Sequence, residues 1–249
     1  MGERVRAAVE ADPAVVLGSL LEGPGHPGLG SEASGLVVGD DPAAAMAAAD
    51  AVIDFSVPAA TLAGLAAAAD AGLPYATGTT GFTPDERAEF ERHASQIPIV
   101  SAANFSVSVN VLGHLARVAA ELLGEDFDAE IVELHHSAKV DAPSGTALWL
   151  GETIANARGT NLEKAGVLSR EGDVGTRPPG SIGIQTLRGG DNPGEHMIHF
   201  IGRGERVELA HRSFTRDHFA AGSVRAARWL LGREPGLYSM ADVLGLPQG

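Results

Sequence analysis

Residues 131–148, IVELHHSAKVDAPSGTAL, bring an acid, two histidines, a lysine and a Pro-Ser-Gly-Thr helix entry close together. Histidine titrates near neutrality and lysine is a flexible cation, so either can hand over a proton. Ser144 is placed as the N-cap of a helix, and the amides that follow, of Gly145 and Thr146, face outward as an anion receptor. The set suits a small substrate bearing carboxylates: the helix end and Lys139 hold the charge, and a histidine or Lys139 supplies the proton. Each part alone has a plainer explanation. Strand side chains alternate, so Glu133 and His135 share one face and Leu134 and His136 the other. A lone His-His pair is more often one exposed and one hydrogen-bonded structural histidine. A lysine in a loop is usually solvated, and capped helices are common. It is the conjunction that favours chemistry.

The elements around this stretch follow from pattern. In the first half, AVIDFS (51–56) reads as a strand, followed by a helix with Pro58 in its first turn and Gly72 as its stop. LPYATGTT is a second strand. TPDERAEFERHASQ is a second helix, with Thr83 and Glu86 as a capping box and Pro84 at its first position. IPIVSAA (97–103) is a third strand. This alternation predicts an α/β fold with a doubly wound, Rossmann-like parallel sheet. GTTGF (78–82) and AANFS (102–106) fall at the carboxyl edge, where such sheets bind ligands, although Gly-rich turns are common there. After Asn104 the rhythm changes. A helix is expected over 108–123, a strand over 128–136 and a helix over 144–158, then a long loop over 159–180. SIGIQTLRGG, GEHMIHFIG and ERVELAHRS are three successive strands, the last two joined by GRGE. That is an α+β layout with an open, mixed and largely antiparallel sheet and helices on one face. A last helix starts at 216. The expected domains are 1–105 for a dinucleotide, 106–215 for substrate and assembly, and 216–249 returning to the first.

The phosphate-binding glycine loop expected between a first strand and a first helix is absent. Met1-Gly2 leads directly into the helix-like ERVRAAVEAD. Glu22, at the end of the strand-like AVVLGSLLE, follows Gly2 by about 20 residues, the offset at which an acid grips the adenosine ribose. Gly2 is thus placed as the last glycine of a loop whose earlier part, with the first strand, is missing; the alternative is a surface carboxylate at a chance spacing.

Bulk properties bound the function. The chain has 249 residues, 44% hydrophobic and 20% charged, and no apolar run long enough for a membrane span. Its charged start lacks the apolar stretch of a signal peptide, and it has no cysteine, which together indicate a cytosolic protein without thiolate metal sites. A net charge of −14, no basic run and 5% aromatic residues argue against nucleic acid. A histidine-based metal hydrolase is the weakest reading. His196 and His199 would share a helix face but point to opposite sides of a strand, and no carboxylate pattern completes a site with His135, His136 and His211. No metal is expected.

The motifs IDFSVPAATL, GTTGF, AANFSVSVNV, ELHHSAKVDAPSGTA, SREG, GEH and GLYSMADVLGL, in that order, resemble the 4-hydroxy-tetrahydrodipicolinate (dihydrodipicolinate) reductase family of lysine and diaminopimelate biosynthesis. The resemblance covers nearly the whole chain, and HH…K.DAPSGTA is its most specific element. It implies hydride transfer from NADH or NADPH to a cyclic, unsaturated dicarboxylate. His135 matches the acid/base histidine and Lys139 the proton donor. His136, Ser144, Gly145 and Thr146 match positions that hold the substrate carboxylates. Gly78, Thr80, Ala102 and Phe105 match positions around the nicotinamide, and Glu22 the acid at the ribose. Arg216 falls near the hinge. The family forms a homotetramer through its second domain. The chain departs from the family in lacking the G-x-x-G-x-x-G turn and in carrying Gly23 and Val57 where members have basic residues; the first of these two favours NADH over NADPH. A central first strand would bury apolar side chains worth about 6–15 kcal/mol, comparable to the net stability of a domain. The expected cause is a start assigned at an internal methionine. The competing expectation is a non-catalytic dicarboxylate-binding remnant of the family.

Overall fold

The structure is a computed structural model and describes residues 1–247. It divides into two units, Met1–Val107 with Asp217–Gly249, and Ser108–Arg216. In chain order the first unit has α1 (Gly2–Ala11), β1 (Leu20–Leu21), β2 (Glu32–Ala33), β3 (Leu36–Gly39), α2 (Pro42–Met46), β4 (Val52–Asp54), α3 (Pro58–Ala71), β5 (Tyr75–Thr77), α4 (Pro84–Ala94) and β6 (Pro98–Ser101). The second has α5 (Val107–Leu123), β7 (Asp128–His135), α6 (Gly145–Ala157), α7 (Leu162–Ala165), β8 (Gly166–Val167), β9 (Ile182–Arg188), β10 (Gly194–Ile201) and β11 (Arg206–Ser213). The chain then returns to the first unit with α8 (Asp217–Leu230), β12 (Gly236–Tyr238) and α9 (Met240–Leu244).

The first unit is α/β and parallel. Strands run in the order β12-β6-β5-β4, with all pairs parallel. Alternation along β5 and β6 sends side chains to two cores. Tyr75 and Ile99 pack with Leu65, Phe90 and Ile97 on the side of α3 and α4, while Ala76 and Val100 pack with Phe105, Leu230 and Met240 on the side of α8 and α9. Burial on both faces explains why Tyr75–Ala76 and Pro98–Val100 show no polar alternation. The helix signals hold. Gly72 ends α3 in the left-handed region, at φ 67°, and the Thr83–Glu86 capping box opens α4. A second small sheet, β1-β3-β2, has β1 parallel to β3. Among the described residues no strand joins it to β4, so the strands of this unit form two separate sheets.

The second unit is α+β. Its sheet runs β11-β10-β7-β9-β8 and is mixed: β7 is antiparallel to β10 and parallel to β9. Residues Ala129 and Ile131 of β7, Ile182 and Ile184 of β9, and Ile198 and Phe200 of β10 pack on Leu112 and Ala116 of α5 and Leu150 and Ile154 of α6. The other face carries Val132, Leu134, Met197 and the exposed Leu187 and Ile201. The GRGE turn closes the β10–β11 hairpin, with Gly202 N–H donating to Glu205 O at 3.0 Å. The stretch 159–180 is not loop throughout: Asn161 caps α7, and β8 adds to the sheet edge. Arg170 and Arg177 latch the rest to Glu130 at 2.7–3.0 Å.

Candidate active site

Strand β7 places Glu133 and His135 on its buried face, continuing the row Ala129 and Ile131. An ionised carboxylate there needs several partners. Glu133 is fully buried and accepts from His135 Nδ1 at 2.5 Å, Arg188 at 2.8 and 3.0 Å, Thr186 Oγ1 at 3.0 Å and the Ser144 amide at 3.1 Å. Burial pushes its carboxyl up, but hydrogen bonds from Arg188, His135, Ser144 and Thr186 outweigh that and leave it below the usual carboxylate range. His135 is 8% exposed. Burial lowers its pKa, against the opposing pull of Glu133. Its Nε2 looks toward Gly194, where a Cβ would stand only 2.7 Å away.

The loop after β7 carries the other reacting candidates. Lys139 Nζ is 2.7 Å from Asp141 Oδ1, with a fifth of its side chain exposed. Arg188 donates to Asp141 O at 2.6 Å, so the loop bearing Lys139 is tied to the guanidinium that pairs with Glu133. His136 Nε2 lies 3.3 Å from Arg216. Helix α6 then opens at exposed Gly145, with half-buried Thr146 next. Its first-turn amides and dipole make that end positive. Four of the six substrate-end residues expected from sequence, His136, Lys139, Gly145 and Thr146, therefore reach the accessible surface around one loop. The exceptions are His135, buried beside Glu133, and Ser144. The Ser144 side chain is buried at 2% exposure, and its hydroxyl is engaged by the Ala147 amide and by His196 Nε2, both at 3.1 Å, so it serves the helix and not a ligand. His196, on β10, is pushed down to about 3 by burial and by neighbouring His135, so it is neutral. It and His199 face opposite sides of a strand, as their spacing predicts.

In the first unit, the turns after β5, β6 and β12 meet at the carboxyl edge of the parallel sheet. They frame a cavity of about 490 Å³ lined by Thr79, Thr80, Gly81, Ser101, Ala103 and Tyr238 among others. Thr80 is exposed there, and Ala102 is part of the same turn. Gly78 has no room for a side chain, because a Cβ would lie 2.3 Å from the Phe55 ring. Phe105 is fully buried against Phe55 in the core, so its ring forms structure behind the turn and not a ligand surface. The turn is held from beneath by Asp54. Its Oδ2 is 2.6 Å from Thr61 Oγ1, 3.0 Å from Thr77 Oγ1 and 3.3 Å from Thr79 Oγ1. Burial, and Asp54 beside it, push the Tyr75 hydroxyl pKa up. Glu22 follows β1, with its amide donating to Gly39 O at 2.9 Å. The residues present suit a dinucleotide in kind: Glu22 is an exposed carboxylate, and the Gly-Thr-Thr-Gly turn stands at the carboxyl edge, where such sheets bind ligands. Around Gly2, opening α1, a Cβ would meet nothing within 4 Å.

Sequence reasoning missed Arg188, Thr186 and Asp54. A signal was present for the first two. Glu133 interrupts an apolar face of β7, and a buried acid demands a cation and hydroxyls on neighbouring strands.

Comparison with known proteins agrees with this geometry. Residues 1–105 match the family model described as dihydrodipicolinate reductase, N-terminus, and residues 108–244 match that described as dihydrodipicolinate reductase, C-terminus. The chain is 48% identical to a 4-hydroxy-tetrahydrodipicolinate reductase of Anaeromyxobacter dehalogenans over 257 aligned positions, covering 100% of this chain and 95% of that protein. A protein of the same name from Citrifermentans bemidjiense is 47% identical, over 99% and 95% respectively. Among solved structures, a dipicolinate-bound dihydrodipicolinate reductase from Paenisporosarcina sp. TG-14 superposes with a TM-score of 0.78 at 21% identity, covering 97% of this chain and 94% of that one. An amine dehydrogenase from Mycobacterium smegmatis, at TM-score 0.55 and 12% identity, shares the fold alone. With both halves matched in order and close to half of all positions identical, the chain belongs to the dihydrodipicolinate reductase family.

Proposed function

We propose that this protein is a 4-hydroxy-tetrahydrodipicolinate reductase, using a reduced nicotinamide cofactor to reduce a small cyclic dicarboxylate in lysine and diaminopimelate biosynthesis. The observation that carries the reading is the full-length match of both halves to proteins of that name. When bound, the nicotinamide supplies the hydride. The chain's own residues do the rest. The positive end of α6, at Gly145 and Thr146, with His136 and Arg216 nearby, holds the substrate carboxylates. Lys139 donates the proton, and Asp141, 2.7 Å from its Nζ, holds the side chain in place until substrate arrives. His135, with its Nδ1 proton committed to Glu133, acts as acid/base through Nε2. In the first unit, Gly78, Thr80 and Ala102 shape the nicotinamide turn and Glu22 takes the ribose.

The coenzyme is NADH in preference to NADPH. Residues 7–86 contain no lysine or arginine, whereas Glu22, Asp40 and Asp41 crowd the carboxyl ends of β1 and β3. Of the two cations in α1, Arg4 is paired with Asp217, and Arg6 donates to Ser34 at 3.0 Å. A 2′-phosphate would meet like charge with no fixed cation to receive it. The exposed apolar face of the second unit, with Leu187 and Ile201 and the buried, partnerless Gln185 Nε2, supports assembly with further copies as a tetramer. The acidic surface and the site chemistry fit a cytosolic enzyme.

The test is loss of reduced-nicotinamide absorbance when purified protein meets enzymatically generated substrate. Turnover with NADH, and a Lys139→Ala variant that loses kcat at least about 100-fold while NADH affinity holds, support the reading. Calorimetric binding of dipicolinate without NADH binding or turnover would instead make the chain a dicarboxylate-binding protein. Light scattering in solution reads the subunit number.

A further inference from the structure

We propose that Glu133 is the positioning residue for the whole proton-handling end of the site: a single buried carboxylate that fixes the tautomer of His135, seats the start of α6 and, through Arg188, tethers the loop carrying Lys139. This rests on the assignment of His135 and Lys139 made above. Its donors come from three separate segments. His135 shares its strand, Thr186 and Arg188 come from β9, and the Ser144 amide comes from the residue that caps α6. An ionised carboxylate offers about four lone-pair sites. Here they are saturated by five contacts of 2.5–3.1 Å.

A salt bridge kept only for stability needs no such convergence, and buried ion pairs are poor stabilisers compared with apolar packing. Every donor but Thr186 belongs to, or directly grips, a segment with a role in the reaction. Arg188 is the longest reach. One guanidinium binds Glu133 and also donates to Asp141 O at 2.6 Å, and Asp141 in turn holds Lys139 at 2.7 Å. The carboxylate also sets chemistry. Because Nδ1–H of His135 donates to Glu133, the neutral ring carries its lone pair on Nε2. Glutamine cannot reproduce this. Arg188 meets both oxygens, so an amide NH₂ opposes one of its N–H groups in either place; in the Oε1 place it would also oppose the Ser144 amide, whereas in the Oε2 place its other partner is His135, which can adapt, its Nδ1 accepting and its Nε2 taking the proton. The titratable and charged groups facing His135 are Glu133 on its own strand, Arg188 on β9, His196 on β10 with His211 of β11 behind it, and Lys139 in the loop.

The experiment compares the full chain with its Glu133→Gln and Glu133→Asp variants. Nitrogen NMR of His135 reads the tautomer, steady-state kinetics give kcat and KM across pH, and NADH titration checks that the other unit is intact. The expected wild-type tautomer is Nδ1–H. In Glu133→Gln it inverts to Nε2–H, kcat falls at least about 100-fold, as for a triad carboxylate replaced by its amide, and NADH affinity stays within about threefold. The pH limb belonging to His135 moves to lower pH, since the ring has lost the negative charge that favours its protonation. Glu133→Asp, too short to reach Ser144 and Arg188 together, keeps the pH limb but loses kcat at least about tenfold. An Nε2–H ring in the wild type, or Glu133→Gln with unchanged tautomer and kcat, overturns the proposal. If Glu133→Gln fails to hold NADH, wild-type kcat in Glu133→Asp does the same. A wild type with the expected tautomer but no turnover would refute the assigned reaction and leave the tautomer result standing.

Discussion

Gly194→Ala is the sharpest test of how the site is packed. Gly194 opens β10 with φ +151°, a backbone conformation that residues with side chains seldom adopt. A Cβ built there lies 2.7 Å from His135 Nε2 and 3.1 Å from its Cδ2, whereas ordinary contact begins at 3.4 Å. The ring must retreat by roughly 0.7 Å or the strand must yield. Retreat is blocked in two directions. Nδ1 is bonded to Glu133 at 2.5 Å, and the His196 ring lies edge-on with its centroid 5.3 Å away. Backbone strain and overpacking each cost about 1–3 kcal/mol. Taking about 2–4 kcal/mol together, at about 2–4 °C per kcal/mol for a chain of this size, Tm falls by about 5–15 °C. A displacement of that order at His135, the proposed acid/base group, lowers kcat by about 100-fold, with NADH affinity unchanged. Calorimetry and steady-state kinetics read both. Gly189→Ala is the control for stability: it lies near the same end of the sheet, has open space around its Cβ position, and should stay within about 0.5 kcal/mol of wild type. Gly194→Ala with wild-type Tm and kcat would refute the claim that Gly194 exists to make room for His135.

Three further outcomes follow from charge. His196 has its pKa pushed down to about 3 from 6.5, chiefly by burial, so between those values the unfolded chain binds a proton that the native chain does not. Its contribution is complete above about pH 6.5 and is lost as pH falls, by up to about 1.4 kcal/mol per unit. Tm should therefore drop less steeply between about pH 7 and 5 in His196→Gln, and an identical slope counts against a neutral buried imidazole. Glu130 feels burial that raises its carboxyl, outweighed by Arg170 and Arg177, and a Cβ at Gly183 would strike it at 1.9 Å. Glu130→Ala should speed amide exchange over 168–181 and cost about 1–3 kcal/mol, and exchange unaltered in that segment refutes the latch. Gly23→Arg, at a site with nothing within 4 Å of the Cβ position, should lower KM for NADPH at least about tenfold with little change for NADH. Unchanged NADPH kinetics would place the adenosine end elsewhere.

What was legible in the sequence was what short-range physics decides. Pro58, Gly72 and the Thr83–Glu86 box act within one helical turn, and the structure shows each in its expected role. The AVIDFS, LPYATGTT and IPIVSAA runs became β4, β5 and β6; β5 and β6 are buried on both faces and so are largely apolar, and β4 is a half-buried edge strand. AVVLGSLLE shrank to two paired residues, because β-propensity needs a partner strand and β1 has one on one side only. β12 escaped notice for a related reason: GLY forms a strand by pairing with β6, whose residues lie far earlier in the chain. Within the site, the motif residues were visible and their wiring was not. Ser144 reads as a cap from sequence, but nothing local shows that its hydroxyl also meets His196, 52 positions on. Arg188 pairs with Glu133 across 55 positions, a contact set by the register of β7 against β9.

The two units hold their ligand-facing loops by the same physical device. A loop at a strand's carboxyl end cannot be stiffened by apolar packing, because the side that faces a polar ligand must stay polar. In each unit a partly or fully buried carboxylate gathers donors from the segments that must not move. Asp54 ends β4 and collects Thr61 from α3, Thr77 from β5 and Thr79 from the turn after β5. Glu133, near the end of β7, collects β9 and the cap of α6. The difference lies in the donors. Those of Asp54 are neutral hydroxyls, which can rotate to suit an amide as readily as a carboxylate, so Asp54→Asn should leave the turn close to its native shape. Those of Glu133 include a guanidinium in a fixed fork, which cannot be satisfied without negative charge. On the roles proposed above, the charged device stands where protons move, and the neutral one where the cofactor needs only a fixed shape.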